Sequence, residues 1–273
     1  MKNIFITDLD HTFLRSDLSI SDYTKESWNT KAPHATMSVA TARTYKKTAQ
    51  FLENIHINAP MVLLDGALVA TIDKKIIATK FINRELGDAI IDEGAKFEIF
   101  PFVLALADTN LNEAFLYPST CTIHQTEVLT RYAKDDNLYE QKNIRAMTDN
   151  FKLVYMGEEK ILRALLTQLR RVFGNELKYI LAPEAYVKCY FLTILHKDAD
   201  KSHGIQSVSE YCGFDTKNLT VFGDNLNDLG MFQLAGTSVA VANSHEKLKK
   251  HATIVSNHTN DEDAVAKYLE GLS

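Results

Sequence analysis

Short apolar runs that end in polar residues recur along the chain, alternating with stretches whose apolar residues fall at helical spacing. Ile4-Phe5-Ile6-Thr7 is the first such run. Its β-branched and aromatic make-up predicts a parallel strand covered on both faces. It leads directly into Asp8-Leu9-Asp10-His11-Thr12. Residues 21–29 predict a helix, with Ser21 or Ser19 near its cap and the lone Trp28 in a packing role. A second strand is expected over 36–40. It stops at Thr41-Ala42-Arg43-Thr44, and Tyr45, Ala49, Leu52 and Ile55 then mark a helix. Residues 60–64 read as another apolar strand, Asp65-Gly66 as a turn, and 67–72 with 76–79 as a hairpin around Asp73-Lys74-Lys75.

From about 81 to 188 the pattern changes. A helix is expected over 84–96, then strands over 97–107 and 114–117 around Asp108-Thr109-Asn110, then a polar stretch over 119–149. A strand over 151–156 precedes an amphipathic helix with Ile161, Leu165, Leu169 and Val172 on one face. Strands over 178–181 and 187–195 follow. Such a set of elements with its own apolar faces suggests an independent α+β unit. The opening style resumes after His196. A helix over 201–211 ends at Gly213, and a strand over 219–222 runs into Gly223-Asp224-Asn225-Leu226-Asn227-Asp228. Beyond it come a helix over 229–234, a strand over 238–241, and helices over 246–251 and 262–269 flanking a short apolar run at 253–255.

Composition narrows the classes. At 273 residues, 45% of them hydrophobic, the chain can bury a large α/β core or a core with an inserted domain. The net charge of -5 argues against a general nucleic-acid binder. The short basic clusters Lys46-Lys47, Lys74-Lys75, Arg170-Arg171 and Lys247 with Lys249-Lys250 read as solvated faces or helix ends. Cys121, Cys189 and Cys212 are odd in number and lack Cys-x-x-Cys spacing, so reduced thiols are expected. No secretory pattern precedes Asp8 and no window of about 18 apolar residues exists. The expectation is a cytoplasmic protein that does not bind membranes.

The polar residues at strand ends carry the chemistry. If the chain stays extended, Asp8 and Asp10 point the same way and repel unless a cation lies between them. A hard divalent ion, Mg²⁺ first, suits two carboxylates. Alone, Asp-x-Asp-x-Thr serves equally well as a turn with Asp10 or Thr12 capping a helix. A strand, a hydroxyl and a helix start at Thr41 to Thr44 form an arrangement that binds anions, and one of the two threonines is expected to cap the helix. Gly223 allows a sharp turn that presents Asp224 as a third carboxylate, and Lys201 begins a helix. Carboxylates, a lysine and hydroxyls at neighbouring strand ends fit phosphoryl transfer, with an Asp attacking phosphorus and cations neutralising the charge.

With these residues in place the sequence resembles the haloacid dehalogenase (HAD) superfamily, specifically its Cof-type (subfamily IIB) phosphatases. Asp8-Leu9-Asp10-His11-Thr12 is similar to the first motif of the family, Thr41 in Ala40-Thr41-Ala42-Arg43 to the second, Lys201 to the third, and Gly223 to Asp228 to the fourth. Met231-Phe232 and Val239 to Asn243 follow as in the family. The resemblance implies an α/β fold: a Rossmann-like parallel-sheet core, 1–81 and 190–273, with an inserted α+β cap, 82–189, that closes over the site and chooses the substrate. It implies Asp8 as nucleophile and Asp10 as general acid and base. Asp8, the main-chain carbonyl of Asp10, and Asp224 would hold Mg²⁺. Thr41, Lys201 and Asn227, with N–H groups near Leu9 and Ala42, would bind phosphate, and Asp228 would support Lys201 from behind. The implied activity is hydrolysis of small phosphorylated metabolites, sugar phosphates above all, through an aspartyl-phosphate, by a monomer or homodimer. A phosphomutase with the same nucleophile and a non-catalytic phospho-ligand sensor are the alternatives. Four positions depart from the family: His11, Ala42 and Ser202 stand where Gly is usual, and Asp263-Ala264-Val265 lacks a usual Gly. In the cap, Arg145, Lys188 and Tyr155 are expected mainly in surface or packing roles.

Overall fold

The computed structural model describes residues 3–131, 137–184 and 187–272. The chain divides into two compact units, one formed by residues up to Thr79 with those from Asp200 onward, the other by Lys80–Ala199. The second boundary lies ten residues beyond the expected 190, because strand Cys189–His196 pairs along its length with Leu177–Glu184 and also with Asp149–Gly157. It therefore belongs to the inserted unit.

The first unit is built on a five-stranded parallel sheet in the order Ile254–Val255, Thr237–Ala240, Leu219–Gly223, Asn3–Thr7, Ala35–Val39. Strand Asn3–Thr7 sits between two neighbours drawn from distant parts of the chain, with Ile6 level with Val221 on one side and Ser38 on the other. Ile4, Ile6, Val221 and Val239 are buried, as the apolar runs require. Because the strands are parallel, their carboxyl ends share one edge, where ligands of such sheets bind. Helix Asp22–Lys31 starts at Ser21, whose hydroxyl accepts from Thr24 N–H. Trp28 on it is fully buried, edge-on to Phe13 at 4.8 Å, with its indole N–H on the His56 carbonyl. Strand Met61–Leu63 turns out to be antiparallel to Leu68–Ala70, which pairs with Ile76–Thr79 in a separate three-stranded sheet. A single parallel bridge, Ala40 to Val62, links Met61–Leu63 to the strand before Thr41. The expected final helix is broken at Asp263, whose φ is +61, into a short turn Asn260–Glu262 and helix Ala264–Glu270.

The second unit is a sheet in the order Leu177–Glu184, Cys189–His196, Asp149–Gly157, Phe102–Leu106, Glu113–Pro118, Leu138–Gln141, with Ile82–Asn83 paired to Asp149–Gly157. Among the described residues, Glu113–Pro118 and Leu138–Gln141 alone run parallel. Helices Arg84–Ala95 and Glu159–Phe173 pack on it, and Gly94 lies so close to Tyr155 that a Cβ would stand 2.4 Å from the phenol oxygen. Tyr155 is a packing residue, buried with its hydroxyl on the Ile90 carbonyl, and Arg145 makes an exposed pair with Asp92.

Three expectations for this unit change. The apolar face of helix Glu159–Phe173 is Leu162, Leu165 and Leu169, while Ile161 and Val172 are 40% and 46% exposed. The strand expected from residue 97 begins at Phe102, because the preceding residues form the end of helix Arg84–Ala95, with Phe97 N–H on Gly94 and Glu98 at φ +58. The polar stretch 119–149 contains helix Ile123–Arg131 and strand Leu138–Gln141, and its residues 132–136 lie outside the described residues.

Candidate active site

The carboxyl ends of Asn3–Thr7 and Leu219–Gly223 bring four charged groups together. Asp8 continues its strand, its N–H donating to the Phe222 carbonyl at 2.9 Å. Lys201 begins helix Lys201–Cys212, capped by Asp200, which accepts from His203 N–H. Its Nζ lies 2.6 Å from Asp8 Oδ1 and 2.6 Å from Asp228 Oδ1. All three side chains are buried. The other oxygen of Asp228 accepts the N–H groups of Asp224 and Asn225 at 2.9 and 3.0 Å. This side chain explains Gly223: its φ is not left-handed, and the reason for glycine is that a Cβ would stand 2.7 Å from Asp228 Oδ2. Asp224 Oδ1 accepts from Thr12 Oγ1 at 3.3 Å.

The electrostatics follow from burial. Burial raises the Asp8 carboxyl well above the usual range; Lys201 opposes the rise, and Asp228 and Asp224 add to it. Burial and then the Asp228 charge push Asp224 up to about 6. Burial disfavours the Lys201 ammonium, but Asp8 and Asp228 outweigh it and hold its pKa above the ordinary value. One oxygen each from Asp8, Asp224 and Asp228 lies within 4.8 Å of the others. Three carboxylates against one ammonium leave two excess negative charges, and the donors are all hard oxygens. That charge and donor set fit a divalent cation such as Mg²⁺. Since both oxygens of Asp228 are already engaged, Asp8 and Asp224 are the carboxylates with capacity to hold it.

The Asp10 carboxylate is not in this cluster. It accepts from Arg43 at both oxygens, 2.8 Å from Nε, and the guanidinium stacks on Phe51 at 4.5 Å. Thr41 is fully buried and its hydroxyl accepts from Arg43 N–H, while Thr44 caps helix Tyr45–Phe51. The capping role thus falls to Thr44 and leaves the Thr41 hydroxyl hydrogen free to donate. Ala42 is exposed beside it. Leu9 is buried in the turn after Asp8. Asn227 is exposed and donates to Asp65 Oδ1 at 3.3 Å. His11, at φ +55, has its carbonyl held by Asn243 Nδ2 at 2.9 Å. Of the residues that stand where glycine is usual, His11 thus sits at a left-handed position, whereas Ala42 and Ser202 do not; within Asp263-Ala264-Val265 the left-handed residue is Asp263, at φ +61. Asp263 is secured there by Arg15, Ser21 and Thr24.

Sequence reasoning missed Arg43 as the partner of Asp10, and Asp65, which it read only as a turn. The signal for Asp65 was its place directly after an apolar strand, like Asp8 and Asp224.

Comparison with known proteins agrees with this geometry. The model of the haloacid dehalogenase-like hydrolases matches residues 5–269. Two Bacillus subtilis 5-amino-6-(5-phospho-D-ribitylamino)uracil phosphatases are 26% and 23% identical, covering 100% and 96% of this chain and 98% and 94% of their own. A Mycoplasma pneumoniae protein is 31% identical over 131 residues, 46% of each chain. Among solved structures, a Thermotoga maritima protein superposes with a TM-score of 0.84 at 23% identity, covering 100% of this chain and 98% of its own. A HAD subclass IIB sugar phosphatase superposes with a TM-score of 0.72 at 17% identity, covering 99% and 98%. The family match runs through both sheet-end carboxylates and the lysine between them, and the chain belongs to the haloacid dehalogenase-like hydrolase family of the HAD superfamily, an enzyme family of hydrolases.

Proposed function

We propose that this protein is a Mg²⁺-dependent phosphatase of small phosphorylated metabolites, sugar phosphates first among them, working through an aspartyl-phosphate on Asp8. The supporting observation is the buried Asp8 carboxylate, held at Oδ1 by Lys201 at 2.6 Å and close enough to Asp224 to share a cation. Asp8 and Asp224, with the Asp10 main-chain carbonyl, would hold the ion. When bound, the ion offsets the negative charge of the phosphoryl group and of the attacking carboxylate.

Lys201 occupies Oδ1, so Oδ2 of Asp8 is the attacking oxygen. It bonds to phosphorus as the bond to the substrate oxygen breaks, and that alkoxide takes a proton from the Asp10 carboxyl. Water then attacks the same phosphorus and loses a proton to Asp10. The bond from Asp8 to phosphorus breaks, returning the carboxylate and releasing inorganic phosphate. Thr41, Lys201, Asn227 and the N–H groups of Leu9 and Ala42 hold the phosphoryl oxygens. Asp228 holds Lys201 and the backbone of Asp224 in place. Asp10 takes its acid and base role once its pair with Arg43, made here at both carboxylate oxygens, has opened and the carboxyl carries a proton.

Because two Bacillus relatives are named for a ribityl phosphate, one joins the sugar phosphates in the set to be tried. The test is release of inorganic phosphate from a panel of phosphorylated metabolites with and without Mg²⁺. Asp8→Asn should abolish release, since an amide is a poor nucleophile. No release from any compound by folded parent protein, or turnover retained by the variant, overturns the reading.

A further inference from the structure

The turn after strand Met61–Leu63 has a rare backbone. Leu64, Asp65 and Gly66 take φ of +52, +54 and +88, three successive residues in the left-handed region. That region disfavours any residue with a Cβ, leucine more than aspartate. Strain of this kind persists only where the surroundings enforce it, and it gathers at functional sites. Here the surroundings are the site itself. Leu64 N–H donates to the Arg43 carbonyl and Asp65 N–H to the Thr41 carbonyl, each at 3.0 Å. Gly66 lies so close to the residue before Lys201 that a Cβ would stand 2.0 Å from the Asp200 carbonyl oxygen. Asp65 Oδ1 meets Asn227 Nδ2 at 3.3 Å. One turn thus touches the segments that carry Thr41, Lys201 and Asn227.

We infer that Asp65 is a positioning residue, whose carboxylate fixes the Asn227 amide with its nitrogen toward the phosphoryl group. The inference rests on the phosphatase reading above. A carboxylate only accepts hydrogen bonds, so it selects Nδ2 of Asn227 over Oδ1. Nδ2 carries two hydrogens. One is used by Asp65 and the other remains for a phosphoryl oxygen. Without Asp65 the exposed Asn227 side chain loses this orientation, and an amide turned the other way presents an acceptor to an anion.

The experiment compares Asp65→Gly, Asp65→Asn, Asn227→Ala and the double variant Asp65→Gly/Asn227→Ala. Glycine removes the carboxylate without backbone cost, and asparagine keeps Oδ1 and tolerates the left-handed turn. With p-nitrophenyl phosphate and Mg²⁺, Asp65→Gly should raise KM about tenfold, as for one hydrogen bond lost to an anion, with kcat within about twofold. Asp65→Asn should recover most of the loss. Adding Asp65→Gly to Asn227→Ala should cost nothing further. A KM unchanged in Asp65→Gly overturns the inference. So does additivity in the double variant, which assigns Asp65 a general structural role. The Kd for orthophosphate, measured by calorimetry with Mg²⁺ on the same proteins, should follow the same pattern. If the parent hydrolyses nothing, the phosphatase reading fails on its own, and the orthophosphate series still decides the role of Asp65.

Discussion

Replacing Lys201 with methionine separates the electrostatics of the site from its packing. Methionine keeps most of the length and volume of the side chain, so little cavity is created, but the one ammonium in the carboxylate cluster is removed. Lys201 is 1% exposed and lies 2.6 Å from two carboxylates that are 8% and 0% exposed. Removing one partner of a buried ion pair costs about 3–5 kcal/mol, because the remaining charge is neither paired nor solvated. That is a large share of the about 5–15 kcal/mol that stabilises a typical protein. The cost depends on pH with a definite sign. Without Lys201, burial and the neighbouring carboxylates hold the folded-state pKa of Asp8 still further above its unfolded value. The folded variant then binds a proton there more tightly than the unfolded chain, so stability is retained at low pH and lost as pH rises through the raised value. Urea unfolding in EDTA at pH 5 and pH 7.5 measures this. The assay has a built-in reporter: the single tryptophan, Trp28, is buried in the unit that carries the site, so its fluorescence follows that unit alone. The expected result is a loss of about 3–5 kcal/mol at pH 7.5 and a clearly smaller loss at pH 5. An unchanged midpoint at pH 7.5, or a loss greater at pH 5 than at pH 7.5, would refute the reasoning.

Three further outcomes are expected. Without divalent ions, the Asp224 carboxyl at about 6, against about 3.9 unfolded, makes the folded state roughly 3 kcal/mol more stable below pH 4 than above pH 7 through this group; by Trp28 fluorescence in urea, the stability of the parent relative to Asp224→Asn should fall across that window, and Mg²⁺ should raise the parent's at pH 7.5. Gly66→Ala combines φ +88 with a Cβ 2.0 Å from a backbone oxygen; it should lose about 2 kcal/mol or more in the same assay, and a parent-like midpoint would show that the turn can withdraw from Asp200. At Asp263, φ +61, both Asp263→Ala and Asp263→Gly lose the hydrogen bonds from Arg15, Ser21 and Thr24, but only alanine keeps a Cβ in the left-handed region; the glycine variant should be more stable by about 1 kcal/mol, and equal thermal midpoints would refute that cost.

The parts of this protein legible in the sequence are those in which chemistry and hydrophobic pattern coincide. The runs before Asp8 and Asp224 are apolar on both faces and stop at an acid, so strand and site are read from the same residues. Elements with little apolar content were hidden. Helix Ile123–Arg131 leaves Ile123 80% exposed, and strand Leu138–Gln141 has no fully buried residue, so neither carries a strong period. In helix Glu159–Phe173 the sequence offers two helical stripes that share Leu165 and Leu169. Only packing against the sheet decides for Leu162 over Ile161. The Arg43 pair with Asp10 spans 33 residues and has no local signature. His11 remained without a role in the sequence. The structure supplies a backbone account, a left-handed residue whose carbonyl is held by Asn243, and sets the imidazole near enough to Asp224 for its charge to favour that carboxylate.

The first unit is assembled from both ends of the chain, and this has a consequence for its synthesis. Strand Asn3–Thr7 emerges from the ribosome early, but its neighbour Leu219–Gly223 and the lysine that binds Asp8 come much later; Lys201 and Asp8 are 193 residues apart. At about 5–20 residues per second, that interval is roughly 10–40 s. During it the apolar strand that carries Asp8 lacks one edge partner and the charge partner of its carboxylate. The inserted unit, contiguous from Lys80 to Ala199, is complete before either arrives. Non-local pairing of this kind is slow, so the site should be the last part of the protein to form. Nascent chains halted before Lys201 should expose the opening strand to chaperones.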